Sequence, residues 1–221
     1  MNFKKSTLAA LAVVALGAVS TQANAFGWYS DNGTFSSFAG VTNIDFTSAA
    51  TGTVSNYVAS NATFNFGAVY DASVPQSAQP SGATGNFWSV GTSSEQVGPG
   101  TVTLSTPVKY YGFLWGSSDI YNTVTFSVFN TLLGSTSYSL TGLDVPSGTG
   151  DQSISRYLNV FAGNDETITG ISFSSTGNAF ETDNHAYSVT AVPEVETYAM
   201  MLAGLGLMGT IARRRNKSKA V

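Results

Sequence analysis

The middle of the chain alternates between apolar and polar residues with a period of two, which is typical of β-strands that bury one face. The clearest segment spans residues 122–130, where Val124, Phe126 and Val128 share one face and polar side chains dominate the other. Shorter alternating segments predict further strands, whose inward residues are Val102 and Leu104, Ile171 and Phe173, and Tyr187, Val189 and Ala191. No window has a sustained helical period.

One segment near the centre of the chain is apolar on both faces. In residues 108–115 one face carries Tyr111, Phe113 and Trp115, and the other face is also apolar. This pattern predicts a central strand covered on both sides, with Trp115 in the core. Turns rich in Gly, Pro, Asn and Asp separate the strands, and the whole pattern predicts an all-β protein, an antiparallel β-sandwich.

Residues 72–94 are rich in Ser, Gly, Ala and Pro and are predicted to form a long surface loop. Phe87 and Trp88 are the only aromatic residues in this segment. The flat apolar face of an indole suits a pyranose ring, so Trp88 is the predicted glycan contact.

The first 25 residues have the three parts of a secretory signal peptide. Lys4 and Lys5 precede an apolar stretch at residues 8–19, and the small residues Ala23 and Ala25 follow. The apolar stretch is shorter than the roughly 20 residues that a permanent membrane span requires. We therefore expect export and cleavage by signal peptidase after Ala25.

The C-terminal end also combines an apolar stretch with basic residues, in the reverse order. Pro193 and Glu194 precede an apolar stretch at residues 198–212, and the stretch ends at three arginines, Arg213, Arg214 and Arg215. The arginines resist translocation and stay on the cytoplasmic side. A short membrane helix over 198–212 is predicted, and its marginal length favours a transient stop in the inner membrane.

The order of these features at the extreme C-terminus resembles the PEP-CTERM sorting signal. The resemblance covers residues 193–215, with 216–221 as a basic cytoplasmic tail, and departs from the family where Val195 replaces its usual second proline. It implies processing by exosortase, an integral-membrane cysteine transpeptidase of Gram-negative bacteria that make extracellular polysaccharide. The alternative is a permanent C-terminal membrane anchor.

The body, residues 26–192, carries a second resemblance. The segment 112–126 is similar to the core of a group of exosortase-dependent surface proteins, and 180–184 resembles their terminal strand and that of jelly-roll carbohydrate-binding modules. The resemblance implies a jelly roll. Within this body Lys109 and Arg156 are the only bases against 11 acids, so it has no basic footprint for nucleic acid. The chain has no cysteine, which excludes a thiolate metal site.

Glu181 and Asp183 alternate along one predicted strand and so share a face, where their like charges repel. A structural Ca²⁺ ion held by oxygens of Glu181, Asp183 and Asn184 would neutralise them. Exposure to solvent would relieve the repulsion equally well.

The chemical groups for catalysis are few. His185 is the single histidine, and no Gly-x-Ser-x-Gly segment marks a serine nucleophile. Paired carboxylates for glycan cleavage remain an alternative, and the candidates are Glu95, Asp119, Glu181 and Asp183. Asp119 follows a Gly-Ser-Ser turn, which favours a turn-capping role. The sequence as a whole predicts a non-enzymatic surface or matrix protein, which is either a structural component or one that binds extracellular polysaccharide.

Overall fold

The computed structural model describes residues 25–146, 150–192, 203–205 and 207–208. Within these ranges the regular structure is almost entirely β, and a helical conformation occurs only at 203–205 and 207–208. No helix of the described residues is long and apolar enough for a membrane span. The strands are β1 Gly27–Asp31, β2 Thr42–Ile44, β3 Gly52–Thr53, β4 Tyr57–Ala59, β5 Ala62–Asn65, β6 Ala68–Tyr70, β7 Phe87–Val90, β8 Gly100–Val108, β9 Tyr110–Gly116, β10 Asn122–Asn130, β11 Gly134–Thr141, β12 Ser155–Phe161, β13 Glu166–Ser175 and β14 Phe180–Ser188.

These strands pair antiparallel in two sheets. The larger sheet has eight strands in the order β1-β12-β9-β14-β7-β6-β3, with β2 also beside β14. The smaller sheet has six strands in the order β11-β10-β13-β8-β5-β4. The predicted all-β class is confirmed, and two antiparallel sheets around one core are consistent with a β-sandwich.

The chain crosses repeatedly between the sheets from β7 onward. In the larger sheet these later strands lie in the order β7-β14-β9-β12, and in the smaller sheet in the order β8-β13-β10-β11. Among these later strands only β10 and β11 are neighbours both in the sheet and in the sequence. The last strand, β14, lies between β9 and β7 and joins parts of the chain that are about 70 to 90 residues upstream.

The period-two patterns locate most of the core. Val124, Phe126 and Val128 of β10 are buried, as are the predicted inward residues of β8 and β13. Every residue of β9 is buried, and Trp115 is fully covered, as predicted. The two sheets meet through aromatic rings, since Phe173 of β13 packs edge-on against Phe113, with ring centroids 5.1 Å apart.

The predicted surface loop at 72–94 is wrong in its second half, because this segment contains β7. Trp88 is fully buried, and its neighbours in the sheet are Val69 of β6 and Thr182 of β14. Its indole N–H donates a hydrogen bond to the Phe66 carbonyl at 2.9 Å. A covered indole cannot stack on a sugar, so the predicted glycan contact at Trp88 is also wrong. Four residues are too few to show a period among so many turn residues.

The end of the last strand also differs from the prediction. Tyr187 is buried, but β14 ends at Ser188, and both Val189 and Ala191 are exposed. The Ser188 hydroxyl accepts the Thr190 N–H at 3.3 Å, and this local turn ends the alternation.

The predicted sequences at the two ends lie mostly outside the described residues. Ala25 is described and exposed, whereas the rest of the predicted signal peptide, including Ala23, lies outside the described ranges. The residues of the sorting signal, Pro193, Glu194 and the three arginines, lie outside them as well.

The burial of Trp88 gives a direct test of the fold. Trp88→Ala is expected to lower the free energy of unfolding by about 3–5 kcal/mol, because it leaves a cavity between the sheets. Chemical denaturation measures this loss. Val58→Ala, at a side chain that is 64% exposed on β4, is the control and should change stability by less than about 0.5 kcal/mol. A Trp88→Ala protein as stable as the control would contradict the assigned position of β7.

Candidate functional site

The candidate site is β14, which carries two carboxyl groups and one imidazole through the middle of the larger sheet. All nine residues of this strand are buried, including Glu181, Asp183 and His185. Phe180 and Tyr187 belong to the core between the sheets. Glu181 instead contacts Ser77 and Ala78, in the connection that covers the opposite face of the sheet.

Glu181 is a buried carboxylate with a complete set of partners. Its Oε1 accepts the Ala78 N–H at 3.0 Å and lies 3.3 Å from the Ser77 hydroxyl, and its Oε2 accepts the Ser117 hydroxyl at 3.3 Å. Burial raises the pKa of Glu181 to about 7, and these hydrogen bonds oppose the rise. The hydrogen-bond network extends through Ser77 to the hydroxyl of Ser89 at 2.7 Å.

Asp183 is buried without such partners. It is 0% exposed, and among the described residues neither carboxylate oxygen makes a hydrogen bond. Burial raises the pKa of Asp183 to about 7 and the Asp45 carboxylate adds to the rise, while the backbone N–H of Asn184 opposes it electrostatically. The predicted solvated face is therefore wrong for Glu181 and Asp183 alike.

The position of Asp183 follows from an irregularity in β14. Thr182 pairs with β7, whereas His185 pairs with β2, so the neighbour on this side changes between them. On the other side, the register with β9 shifts between Asp183 and Ala186, and Asn184 has a positive φ of 48°. This geometry is that of a β-bulge, which re-aims side chains and interrupts the ladder.

His185 lies on the other side of the strand, inside the core. Its Nδ1 is 2.8 Å from the Tyr111 hydroxyl, and its Nε2 is 3.0 Å from the Thr182 hydroxyl. The ring also stacks on Phe113, with centroids 5.5 Å apart. Burial lowers the pKa of His185 to about 3, so the imidazole is neutral at physiological pH. His185 therefore pairs with neutral hydroxyls and forms no dyad with a carboxylate.

The other candidate acids lie apart from this strand. Glu95 is exposed, and its Oε2 accepts the Tyr70 hydroxyl at 3.3 Å. Asp119 lies in the turn before β10, where its carbonyl accepts the Asn122 N–H at 3.0 Å. Glu181 and Asp183 do share one side of a strand, but they are only 2% and 0% exposed. A glycan reaches them only if the covering connections move.

The predicted Ca²⁺ site has one residue whose chemistry fits and two that are otherwise engaged. Asp183 offers unpartnered oxygens, whereas both oxygens of Glu181 accept hydrogen bonds. Asn184 donates its side-chain amide to the Thr34 carbonyl at 2.8 Å, and its own carbonyl accepts the Tyr157 hydroxyl. The described residues contain no group of three or more His, Asp or Glu side chains within range of one metal ion. Bound Ca²⁺ remains a prediction.

Sequence reasoning found the charged residues of β14 but missed their partners. The sequence pattern identifies Tyr111 and Thr182 only as strand residues. It identifies Ser77, Ser89 and Ser117 only as members of polar turns. Comparison with models of known protein families gives no match, and a search of curated proteins finds no match either.

The buried Asp183 predicts a pH dependence of stability. The folded state retains the Asp183 proton up to about pH 7, whereas the unfolded chain releases it near the ordinary pKa of 3.8. Its contribution to stability is therefore present below about pH 4 and is lost as the pH rises to about 7. Asp183→Asn should match the parent near pH 4 and exceed its stability at pH 8, as measured by denaturation at each pH. Asp71→Asn, at an exposed acid, is the control, and a parent protein equal to Asp183→Asn at pH 8 would contradict the burial of an ionisable carboxyl.

Ca²⁺ binding is tested by the same variant. If Asp183 binds the ion, added Ca²⁺ should raise the melting temperature at pH 8, and a chelator should reverse the rise, because the ion binds only the folded state. Asp183→Asn should abolish this response, while Glu181→Gln should retain it. A melting temperature that is identical with Ca²⁺ and with chelator would refute the prediction.

Proposed function

We propose that this chain is an exported, non-enzymatic protein of the cell surface or extracellular polysaccharide matrix of a Gram-negative bacterium. Its body is a jelly roll that contacts polysaccharide, and its PEP-CTERM-like tail is processed by an exosortase. Each end of the chain combines an apolar stretch with basic residues, and both ends predict the same membrane topology, which supports export. The order Pro193, Glu194, apolar stretch and three arginines supports the sorting step.

The strand order supports the jelly roll. A jelly roll has eight strands that form two Greek keys and two facing sheets. Strands β7 to β14 form two four-stranded groups in the orders β7-β14-β9-β12 and β8-β13-β10-β11, and the chain changes sheet at every step except from β10 to β11. The remaining strands extend these sheets at their edges, except β2, which pairs with β14.

The main support for polysaccharide contact is the composition of the outer face of the six-stranded sheet. Two rows of small polar residues cross five neighbouring strands in register. The first row is Asn65, Thr101, Ser172, Thr125 and Ser139, and the second is Thr63, Thr103, Gly170, Ser127 and Ser137. Along each strand they alternate with core residues such as Phe64, Val102 and Phe126, so the rows face outward. We call them the hydroxyl face.

The hydroxyl face has the chemistry of a neutral glycan surface. Each hydroxyl both donates and accepts a hydrogen bond, as sugar hydroxyls do. The two rows contain no charged residue, although the body around them has 11 acids and two bases. Such a surface neither repels nor attracts by charge, which favours an uncharged polysaccharide. A single hydroxyl contact is weak in water, so many must act together along one chain.

Removing hydroxyls from this face tests the glycan contact. Thr101→Val with Thr103→Val keeps the shape and the strand propensity but removes two hydroxyls from the centre of the rows. We expect this pair to lose retardation in affinity electrophoresis through the organism's own neutral polysaccharide. Thr53→Val, at an exposed position of the larger sheet, is the control and should migrate like the parent. Parent protein that passes through the polysaccharide unretarded would refute glycan binding.

The tail is tested by the mass of the mature surface protein. We expect two cleavages, after Ala25 and near Pro193 and Glu194. Replacing Pro193 and Glu194 should leave an uncleaved precursor in the inner membrane, while neutral residues at Arg213, Arg214 and Arg215 should reduce retention. A mature protein that still contains residues 213–221 would refute sorting and establish the permanent anchor.

A further inference from the structure

The edges of the two sheets differ in how they are protected. A sheet edge presents unpaired backbone groups, and proteins usually block it with short strands, charges or proline. Strands β2, β3 and β4 have three residues or fewer, and β1 ends at the charged Asp31. The remaining edge strand, β11, has eight residues, Gly-Ser-Thr-Ser-Tyr-Ser-Leu-Thr, with no charge and no proline.

The edge strand β11 is held firmly from one side. Eight of its residues pair with β10, and Tyr138 stacks on Phe26 with ring centroids 4.1 Å apart. No described strand pairs with its other side. At its C-terminal end the Thr141 N–H donates to Asp144 Oδ2 at 2.7 Å, so the part of this edge that is ordered and available for a further strand is residues 134–140.

Exposed leucines lie at both ends of β11. Among the large hydrophobic residues that the structure describes, the three most exposed are Leu133 at 85%, Leu132 at 80% and Leu143 at 73%. Leu132 and Leu133 immediately precede the strand, and Leu143 follows it by two residues. Apolar side chains at both ends of an open edge are complementary to the same edge when it runs in the opposite direction.

We propose that a second copy of this chain adds its own β11 to this edge, antiparallel and about a twofold axis at Tyr138. Residues opposite each other in an antiparallel pair lie on the same face, so the register must conserve the alternation of β11. With Tyr138 opposite its copy, Ser137 lies opposite Ser139, and the turn that carries Leu133 in one copy lies at the same end of the paired strands as the turn that carries Leu143 in the other. The next register, centred on Ser137, moves these two turns apart along the strands.

This pairing extends the hydroxyl face across two bodies. Ser139 ends one row and Ser137 ends the other, so each row of one copy continues into the other row of its partner. The interface is self-complementary, as a twofold dimer requires. Because each body has 11 acids and two bases, the copies repel at long range, and association is expected to increase with salt.

Charge substitutions at the edge test both the partner and the register. Ser137→Glu with Ser139→Glu sets carboxylates opposite each other twice and should abolish the dimer. Ser137→Lys with Ser139→Glu sets opposite charges across both pairs and should retain it. Thr101→Glu with Thr103→Glu adds the same charge to a central strand and should leave the dimer intact. Sedimentation velocity of the full chain in detergent, over micromolar concentrations, measures these outcomes.

A cross-linking experiment covers any variant that fails to fold. The chain has no cysteine, so Ser137→Cys with Ser139→Cys introduces the only thiols. Oxidation should then produce a covalent dimer on a non-reducing gel, whereas Thr101→Cys with Thr103→Cys should stay monomeric. A parent chain that sediments as a monomer throughout, equal association of both charged pairs at β11, or no cross-linked dimer would overturn the proposal.

Discussion

The structure depends on the insertion of β14 between β9 and β7. This strand is buried along its whole length, and it pairs with segments that lie about 70 to 90 residues upstream. Its side chains include two carboxyls and one imidazole, and burial away from water makes the ionised form of each energetically unfavourable. The fold accommodates them in three ways. Glu181 accepts hydrogen bonds, and the neutral imidazole of His185 lies within hydrogen-bond distance of the Tyr111 hydroxyl. The pKa of Asp183 is raised, which favours the protonated, neutral carboxyl.

Strands β8, β10 and β13 of the six-stranded sheet were predictable, because each buries one face and exposes the other. For example, β10 is predicted by the alternation of Val124, Phe126 and Val128 with polar residues. The strand β9 is recognisable because both its faces are apolar. Local patterns could not reveal the strand β7 or the burial of the two carboxyl groups of β14. Trp88 lies in a four-residue strand between turns, and Glu181 and Asp183 have the polarity of surface residues. The buried Glu181 accepts hydrogen bonds from Ser77, Ala78 and Ser117, partners that no local period identifies.

The two sheets differ in what they present to solvent. The outer side of the larger sheet is covered at β14, and the carboxyl groups of Glu181 and Asp183 lie under that cover, whereas His185 lies in the core between the sheets. The six-stranded sheet displays uncharged hydroxyls in register and ends at an open edge strand. Catalysis needs positioned groups that a substrate can reach, whereas adhesion needs area and repetition. The distribution of polar groups therefore favours a protein that acts through an extended surface.

The ionisable groups of β14 lie inside the fold, beyond the reach of solvent. Native-state hydrogen exchange measures how tightly they are enclosed, because it reports the free energy of opening at each backbone amide. The amides of Glu181 and Thr182 are expected to exchange only through global unfolding, together with those of β9. Exchange of these amides through a local opening well below the global free energy would show that the covering segments lift from β14. That result would contradict a sealed strand and would return Glu181 and Asp183 to consideration as an accessible site.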